Sequence, residues 1–271
     1  MSPVKSLPGL AVGRDGARGV TRTLPEETPV AVSFNGTTLA VMMCTPADVA
    51  DFAHGFALTE GVITRLGEIE SFEVVTHPKG IEARFWLAEA RAEALKARRR
   101  QMTGPVGCGL CGIDSLEEAV RALPHVGHAP IGLTRAEIAA ATDALKGHQP
   151  LHDQTRAVHA AGFLRPGDGL VLAREDVGRH NALDKLIGAL ALGGQDARTG
   201  AIVLTSRVSV EMVQKAAMAG CPVIVAASAP TAHALRLAEE AGITLAAFAR
   251  AGAFDLYSHP ERVETGASDV A

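Results

Sequence analysis

The sequence predicts an α/β protein in which a smaller α+β unit precedes a larger three-layer domain. From residue 200 onward, apolar strand-like runs alternate with helical ones: "AIVLTS", "SVEMVQKAAMAG", "CPVIVAAS", "TAHALRLAEEAG" and "ITLAAF". That β-α-β-α-β order leads naturally to parallel strands joined by right-handed crossovers. Before residue 90 the rhythm differs, with short alternating runs flanking Asn35-Gly36, a strong hairpin signal.

Residues 1–25 are rich in Gly, Pro and Arg without periodicity and read as a loose tail. Two strands follow in "TPVAVSFNGTTLAVMMCTP". The next segment, "TPADVADFAHGFALTEGVI", has the spacing of a helix, with Thr45 as N-cap, Pro46 at the first helical position and Gly61 as its stop. "SFEVVTHPKGIEARFWL" gives a second strand pair, and "AEARAEALKARRRQ" a charged helix with a solvated face. Together, residues 26–120 make the α+β unit, which ends in the segment holding Cys108 and Cys111. Residues 121–262 form the α/β domain, with "AVHAAGF" and "GLVLARED" as further strands and "VGRHNALDKLIGALAL" as a helix. Residues 263–271 are a C-terminal tail.

Of 271 residues, 47% are apolar and 21% charged, with a net charge of −4, which fits an ordinary globular chain and leaves no basic footprint for nucleic acid. The start, "MSPVKSLPGLAVGRDGARG", has no continuous apolar h-region, and no stretch reaches the ~18 apolar residues of a membrane span. A cytoplasmic protein is expected, with no membrane partner. The four cysteines are then thiols rather than a disulfide framework. Cys44 and Cys221 sit in the apolar runs "VMMCTP" and "AGCPVIV" and read as small buried hydrophobes.

In open α/β sheets, ligands gather beyond the carboxyl ends of parallel strands, where loops meet helix N-termini. Three such ends are legible. Thr205-Ser206-Arg207 runs toward a helix that Ser209 can cap; Ser228 leads to Thr231, which caps the next helix; and Phe248-Ala249-Arg250-Ala251-Gly252-Ala253 follows the last strand. Hydroxyls, arginines, glycine and open N–H groups suit a phosphate-bearing ligand. The same residues also serve as plain helix caps and surface side chains.

The segment "GPVGCGLCGIDSLEEA" raises metal binding, redox and sulfur carriage. Zinc needs at least three protein ligands; one C-x-x-C supplies two, and His159 is the best helper. A zinc nucleobase deaminase needs H-x-E before P-C-x-x-C. Here the order is reversed and Ala161 stands where the glutamate belongs, so no metal is expected. A thioredoxin-like dithiol remains a rival. Gly104, Gly107, Gly109 and Gly112 around the pair suit a thiol that travels between sites. Glu175, Asp176, Arg179, His180 and Asp184 cluster at a strand end and helix start, either lining a pocket or serving locally, with Asp176 as N-cap and Lys185 as a pairing partner. His159 reads as a core histidine.

The stretches "AVSFNGTTLAVMMCTPADVADFAHGFALTEGVI", "GCGLCG", "AVHAAGF", "REDVGRHNALDKLIG", "SRVSVEMVQKAAMAG" and "FARAGAFDLYSHPER" together resemble the FdhD family of formate dehydrogenase accessory sulfurtransferases. The resemblance implies a cytidine-deaminase-like fold for the second domain and a homodimer. It implies that sulfur is received as a persulfide from a cysteine desulfurase and passed to the molybdenum bis(molybdopterin guanine dinucleotide) cofactor for the client formate dehydrogenase. A GDP-like nucleotide would then fit the cofactor site. By the same resemblance, Cys108 is the persulfide carrier, Cys111 its partner and Phe248–Ala253 the cofactor-binding stretch, beside Ser206, Arg207 and Ser228. Two positions depart from the family pattern: Arg156 stands where glycine is common, and Ala253 where a second basic residue can close the stretch.

A free thiol with pKa ~8.5 is only about 3% thiolate at pH 7. Lys96, Arg98, Arg99 and Arg100 upstream, and the helix beginning at "DSLEEAV", are candidate sources of the positive potential that would raise that fraction.

Overall fold

The computed structural model describes residues 1–93, 122–127 and 131–263. Two bodies of mixed α/β structure pack through a pair of helices. The first is a four-stranded sheet in the order β4-β3-β6-β5, from β3 (Thr28–Phe34), β4 (Thr37–Cys44), β5 (Ile69–His77) and β6 (Gly80–Leu87). It is covered by α1 (Val49–Thr59). The β3–β4 hairpin turns at Asn35 and Gly36, both at positive φ (48° and 76°), as the Asn-Gly pair predicts. Phe52, Ala53 and Phe56 of α1 pack on Phe34, Ile81 and Phe85 of the sheet.

The second body is a six-stranded sheet in the order β12-β11-β10-β9-β7-β8. Its parallel centre is β9 (Ala201–Leu204), β10 (Val223–Ala226) and β11 (Thr244–Arg250). The antiparallel flanks are β7 (His159–Arg165), β8 (Gly169–Asp176) and β12 (Ala253–Ser258). Alternate residues face opposite layers. Ile202, Leu204 and Ile224 meet α4 (Arg179–Leu192) and α5 (Val210–Met218), with α6 (Ala232–Ala241) in the same layer. Ala201, Val203 and Val225 meet α2 (Arg135–Lys146) on the other face. The three layers are those the alternation after residue 200 predicts.

Where the bodies meet, α1 crosses α4 at Gly55 and Gly188. A Cβ built on Gly55 would lie 1.8 Å from the Asp184 carbonyl oxygen, and one on Gly188 would lie 1.8 Å from that of Asp51. Only hydrogen at Cα lets the two backbones approach so closely.

Three expectations are corrected. Residues 1–25 are not a loose tail: β1 (Val4–Gly13) and β2 (Gly16–Pro25) pair along their whole length as an antiparallel ribbon. Arg14 and Asp15 make the two-residue turn between them, followed by Gly16 at positive φ (112°). Thr45 does not cap α1, which begins four residues later behind Asp48 (φ 52°, without a side-chain cap bond). Thr45 is instead drawn into the interface: its N–H donates to Asp176 Oδ2 (2.9 Å), its Oγ1 accepts from Val177 N–H (3.1 Å), and its carbonyl accepts from Lys185 Nζ (3.0 Å). Asp176 is not the N-cap of α4; that position is Gly178. The boundary at residues 120 and 121 falls where no structure is described.

Candidate functional site

The carboxyl edge of the parallel strands is continued by two stitched loops. After β9, Val208 N–H donates to the Ala229 carbonyl (3.1 Å), and Thr231 N–H donates back to the Val208 carbonyl (3.0 Å). The loop after β10 is thus fixed against the loop after β9. Thr231 caps α6 as predicted, its Oγ1 accepting from Ala234 N–H (3.1 Å). Ser209 occupies the N-cap of α5 but makes no side-chain capping bond there. Ser206 is buried with its hydroxyl donating to the Arg207 carbonyl (3.0 Å), whereas the Arg207 side chain is exposed. Ser228 accepts at its carbonyl from Phe248 N–H (3.4 Å), tying the β10 end to β11.

The third predicted strand end has a different form. It runs into no helix; β11 turns back into β12 through Ala251 and Gly252, both at positive φ (51° and 79°), with Arg250 paired to Ala253. Phe248 also sits at positive φ (52°) inside a register shift between Ala247 and Arg250. A phenylalanine there costs about 1 kcal/mol or more in backbone energy, and the bend leaves its ring exposed.

The ring borders a cleft of about 200 Å³ lined by Ala229, Pro230, Thr231, Leu235, Phe248 and Tyr257. Two exposed aromatic rings and the N-terminus of a ten-residue helix therefore meet in one depression. Tyr257, the chain's single tyrosine, is absent from the sequence-derived site. Its alternation in "FDLYS" is the signal that could have found it. Gly252 and Ala253 do not line this cleft. They border a groove of about 690 Å³ with Arg135, Ala139, Phe254 and Leu256, beside α2. The FARAGA stretch thus serves two depressions.

The acidic and basic cluster after β8 divides by role. Glu175 receives Leu151 N–H (2.8 Å) and His152 N–H (2.7 Å) at the start of α3 (Pro150–Thr155), and burial raises its pKa. Asp184 is buried and accepts from Thr59 Oγ1 (2.7 Å) and Lys215 Nζ (3.0 Å). Both acids are structural here. At the sheet edge, His180 Nε2 lies 3.9 Å from Glu211 Oε2, and the imidazole holds the Glu211 carboxyl down to about 2. His159 opens β7 half-buried; burial, then the charge of Arg179, lowers its pKa, so it is neutral near pH 7.

Cys44 and Cys221 are buried free thiols, as predicted. Burial raises Cys44 well above an ordinary thiol and Cys221 to about 11. Cys108 and Cys111 lie outside the described residues.

The family model described as FdhD/NarQ matches residues 25–264. This chain belongs to the FdhD/NarQ family. A sulfur carrier protein FdhD of Agrobacterium fabrum is 52% identical over 242 residues, 89% of each chain. One of Brucella abortus is 53% identical over 254 residues, 94% of each. The fold is similar to the crystal structure of a proposed formate dehydrogenase accessory protein from Desulfotalea psychrophila, with a TM-score of 0.76 and 27% identity, covering 96% of this chain and 99% of that one. The match to the FdhD/NarQ family spans both bodies described above and stops short of the β1–β2 ribbon.

Proposed function

We propose that this chain is a sulfur carrier serving formate dehydrogenase. In this reading Cys108 takes sulfane sulfur from a cysteine desulfurase and passes it to molybdenum bis(molybdopterin guanine dinucleotide), held as substrate. It acts as a cytoplasmic homodimer on a deaminase-like scaffold, without nucleic acid or membrane.

The observation that carries the reading is the state of the other thiols. Of four cysteines, Cys44 and Cys221 are buried and pushed toward the protonated form. A nucleophilic thiolate near pH 7 is therefore left to Cys108 and Cys111. The Cys108 thiolate attacks the outer sulfur of the donor's persulfide; a new S–S bond forms, the old one breaks, and the donor cysteine leaves as thiolate. Cys111 then accepts the sulfur in turn, or attacks the inner sulfur and expels sulfide, leaving a Cys108–Cys111 disulfide.

The cleft beside Phe248 and Tyr257 supports the second half of the reading. Its volume, about 200 Å³, suits one purine ring. A guanine stacked between the rings would place its phosphates near the N–H groups opening α6. Arg207 and Arg250, both exposed on the loops after β9 and β11, are the basic side chains of the sequence-derived strand ends that could meet those phosphates.

The rival is a chaperone that holds the cofactor and transfers no sulfur. Cells lacking their own family member, complemented with Cys108→Ala, distinguish the two. A sulfur carrier loses formate dehydrogenase activity to background while the purified variant still binds GDP; a chaperone keeps both.

A further inference from the structure

The edge strand β12 divides its side chains between the two depressions beside the last strand end. Phe254 and Leu256 turn toward α2 and the larger groove. Asp255 and Tyr257 alternate with them and are exposed, and Tyr257 borders the smaller cleft with the first turns of α6. Asp255 stands opposite Ala247, the residue before Phe248, so it neighbours both ring-bearing positions of that cleft. The Tyr257 hydroxyl donates to Asp255 Oδ2 (3.4 Å), which sets the carboxylate beside the aromatic wall. Among the described residues no cation and no second donor takes up this carboxylate.

We propose that Asp255 is the residue that selects guanine at this cleft, an assignment that rests on the nucleotide half of the sulfur-carrier reading. The rings of Phe248 and Tyr257 stack on any purine, because every base has a π-face, so stacking alone does not discriminate. An ionised carboxylate accepts hydrogen bonds and donates none, so the base edge that meets it must carry donors. Guanine presents N1–H and its 2-amino group side by side, one for each carboxylate oxygen. Adenine sets an unprotonated N1 beside its amino group, and one carboxylate oxygen would then face a lone pair. Hypoxanthine keeps N1–H and lacks the 2-amino group. Each carboxylate oxygen has two acceptor sites, so the Tyr257 bond and a bidentate base contact coexist. Such charge-assisted pairs are the strong hydrogen bonds, and a site built around them rejects an analogue that lacks the donor. The walls of the cleft have matching polarity. The N–H groups opening α6, which attract phosphate, belong to one wall, and Asp255 belongs to the β11–β12 hairpin that forms the other. Base edge and phosphates are thus drawn to opposite walls, and the carboxylate is kept from the like charge of the phosphates.

Calorimetric titration of the purified full chain with guanosine, inosine and adenosine diphosphates tests this. The wild type is expected to bind guanosine diphosphate at least roughly tenfold more tightly than inosine diphosphate, which lacks only the 2-amino group, and adenosine diphosphate more weakly still. That comparison needs no variant, so it does not depend on how a substitution folds. Asp255→Ala is expected to bind guanosine and inosine diphosphates alike. Asp255→Asn offers one donor and one acceptor, the complement of adenine's edge, and its preference for guanosine over adenosine diphosphate is expected to fall at least roughly tenfold. A wild type indifferent to the 2-amino group would overturn the proposal. So would variants that keep the wild-type ratios, including a uniform rise in all three affinities, the result for a carboxylate that merely repels phosphate or guards an edge strand. A wild type that binds none of the three nucleotides would overturn it together with the nucleotide half of the carrier reading, whereas guanosine diphosphate bound with no regard to Asp255 removes the selection alone. Sulfur gain on Cys108 is measured on the wild type without nucleotide, so the two readings fail separately.

Discussion

Lys185 Nζ lies 2.7 Å from Asp176 Oδ2 with neither side chain exposed to solvent, at the seam where α4 meets the loop after β4. Asp176 also accepts from Gly178 N–H (2.8 Å), Asn181 Nδ2 (3.0 Å) and Thr45 N–H, and Lys185 also donates to the carbonyls of Thr45 and Glu175. The pair is fully hydrogen-bonded, the condition under which a buried ion pair is tolerated. Removing one member strands the other: Lys185→Met is expected to cost about 3–5 kcal/mol in urea denaturation. Asp176→Leu added to it recovers only part of that, because Thr45 N–H stays unpaired.

The helix crossing at Gly55 and Gly188 sets a second expectation. Gly188→Ala places a methyl where the Asp51 carbonyl already lies, so α1 and α4 must separate. A loss of about 3 kcal/mol or more is expected, at the upper end for overpacking. Thermal melts check it.

Arg156 is the C-cap of α3 at φ 56°, ψ 22°, a left-handed position with its side chain largely exposed. Its ion pair with Asp153 at 3.7 Å is worth little at such exposure. The departure from glycine is therefore accommodated at a strain cost. Arg156→Gly is expected to raise stability by about 0.5–1 kcal/mol, read as a higher urea midpoint at unchanged slope.

Glu211 supplies the pH dependence. Its folded-state pKa is depressed from 4.5 to about 2, first through His180. A depressed carboxyl stabilises the fold in full above its unfolded value, and that stability is lost as pH falls from about 4.5 toward 2. After screening of this partly exposed pair, about 1–2 kcal/mol is at stake. Denaturation midpoints measured across that window should fall less steeply for Glu211→Gln than for the wild type.

The β-α-β-α-β order, the Asn35-Gly36 hairpin and the Thr231 cap are legible in the sequence because each rests on local periodicity or turn chemistry. Thr45 and Asp176 defeat local reasoning, since both look like caps and a contact between residues 131 apart claims them. The β1–β2 ribbon escapes because it buries no core, so its strands lack an apolar rhythm, and its Gly and Pro read as breaks. Within the site, Phe248 is legible as the last strand end and by family resemblance, but its positive φ, and the meeting with Tyr257 across a hairpin bulge, belong to tertiary geometry. The two strand ends at Ser206 and Ser228 do come together, while Gly252 and Ala253 turn toward α2.

The central claim concerns sulfur on Cys108. Intact and peptide mass spectrometry after incubation with a cysteine desulfurase and L-cysteine tests it most directly, comparing wild type, Cys108→Ala and Cys111→Ala. A gain of about one sulfur atom located on the Cys108 peptide, lost in Cys108→Ala and with Cys44 and Cys221 unmodified, is the predicted result. Unmodified Cys108 and Cys111 in a chain that still binds GDP would contradict it.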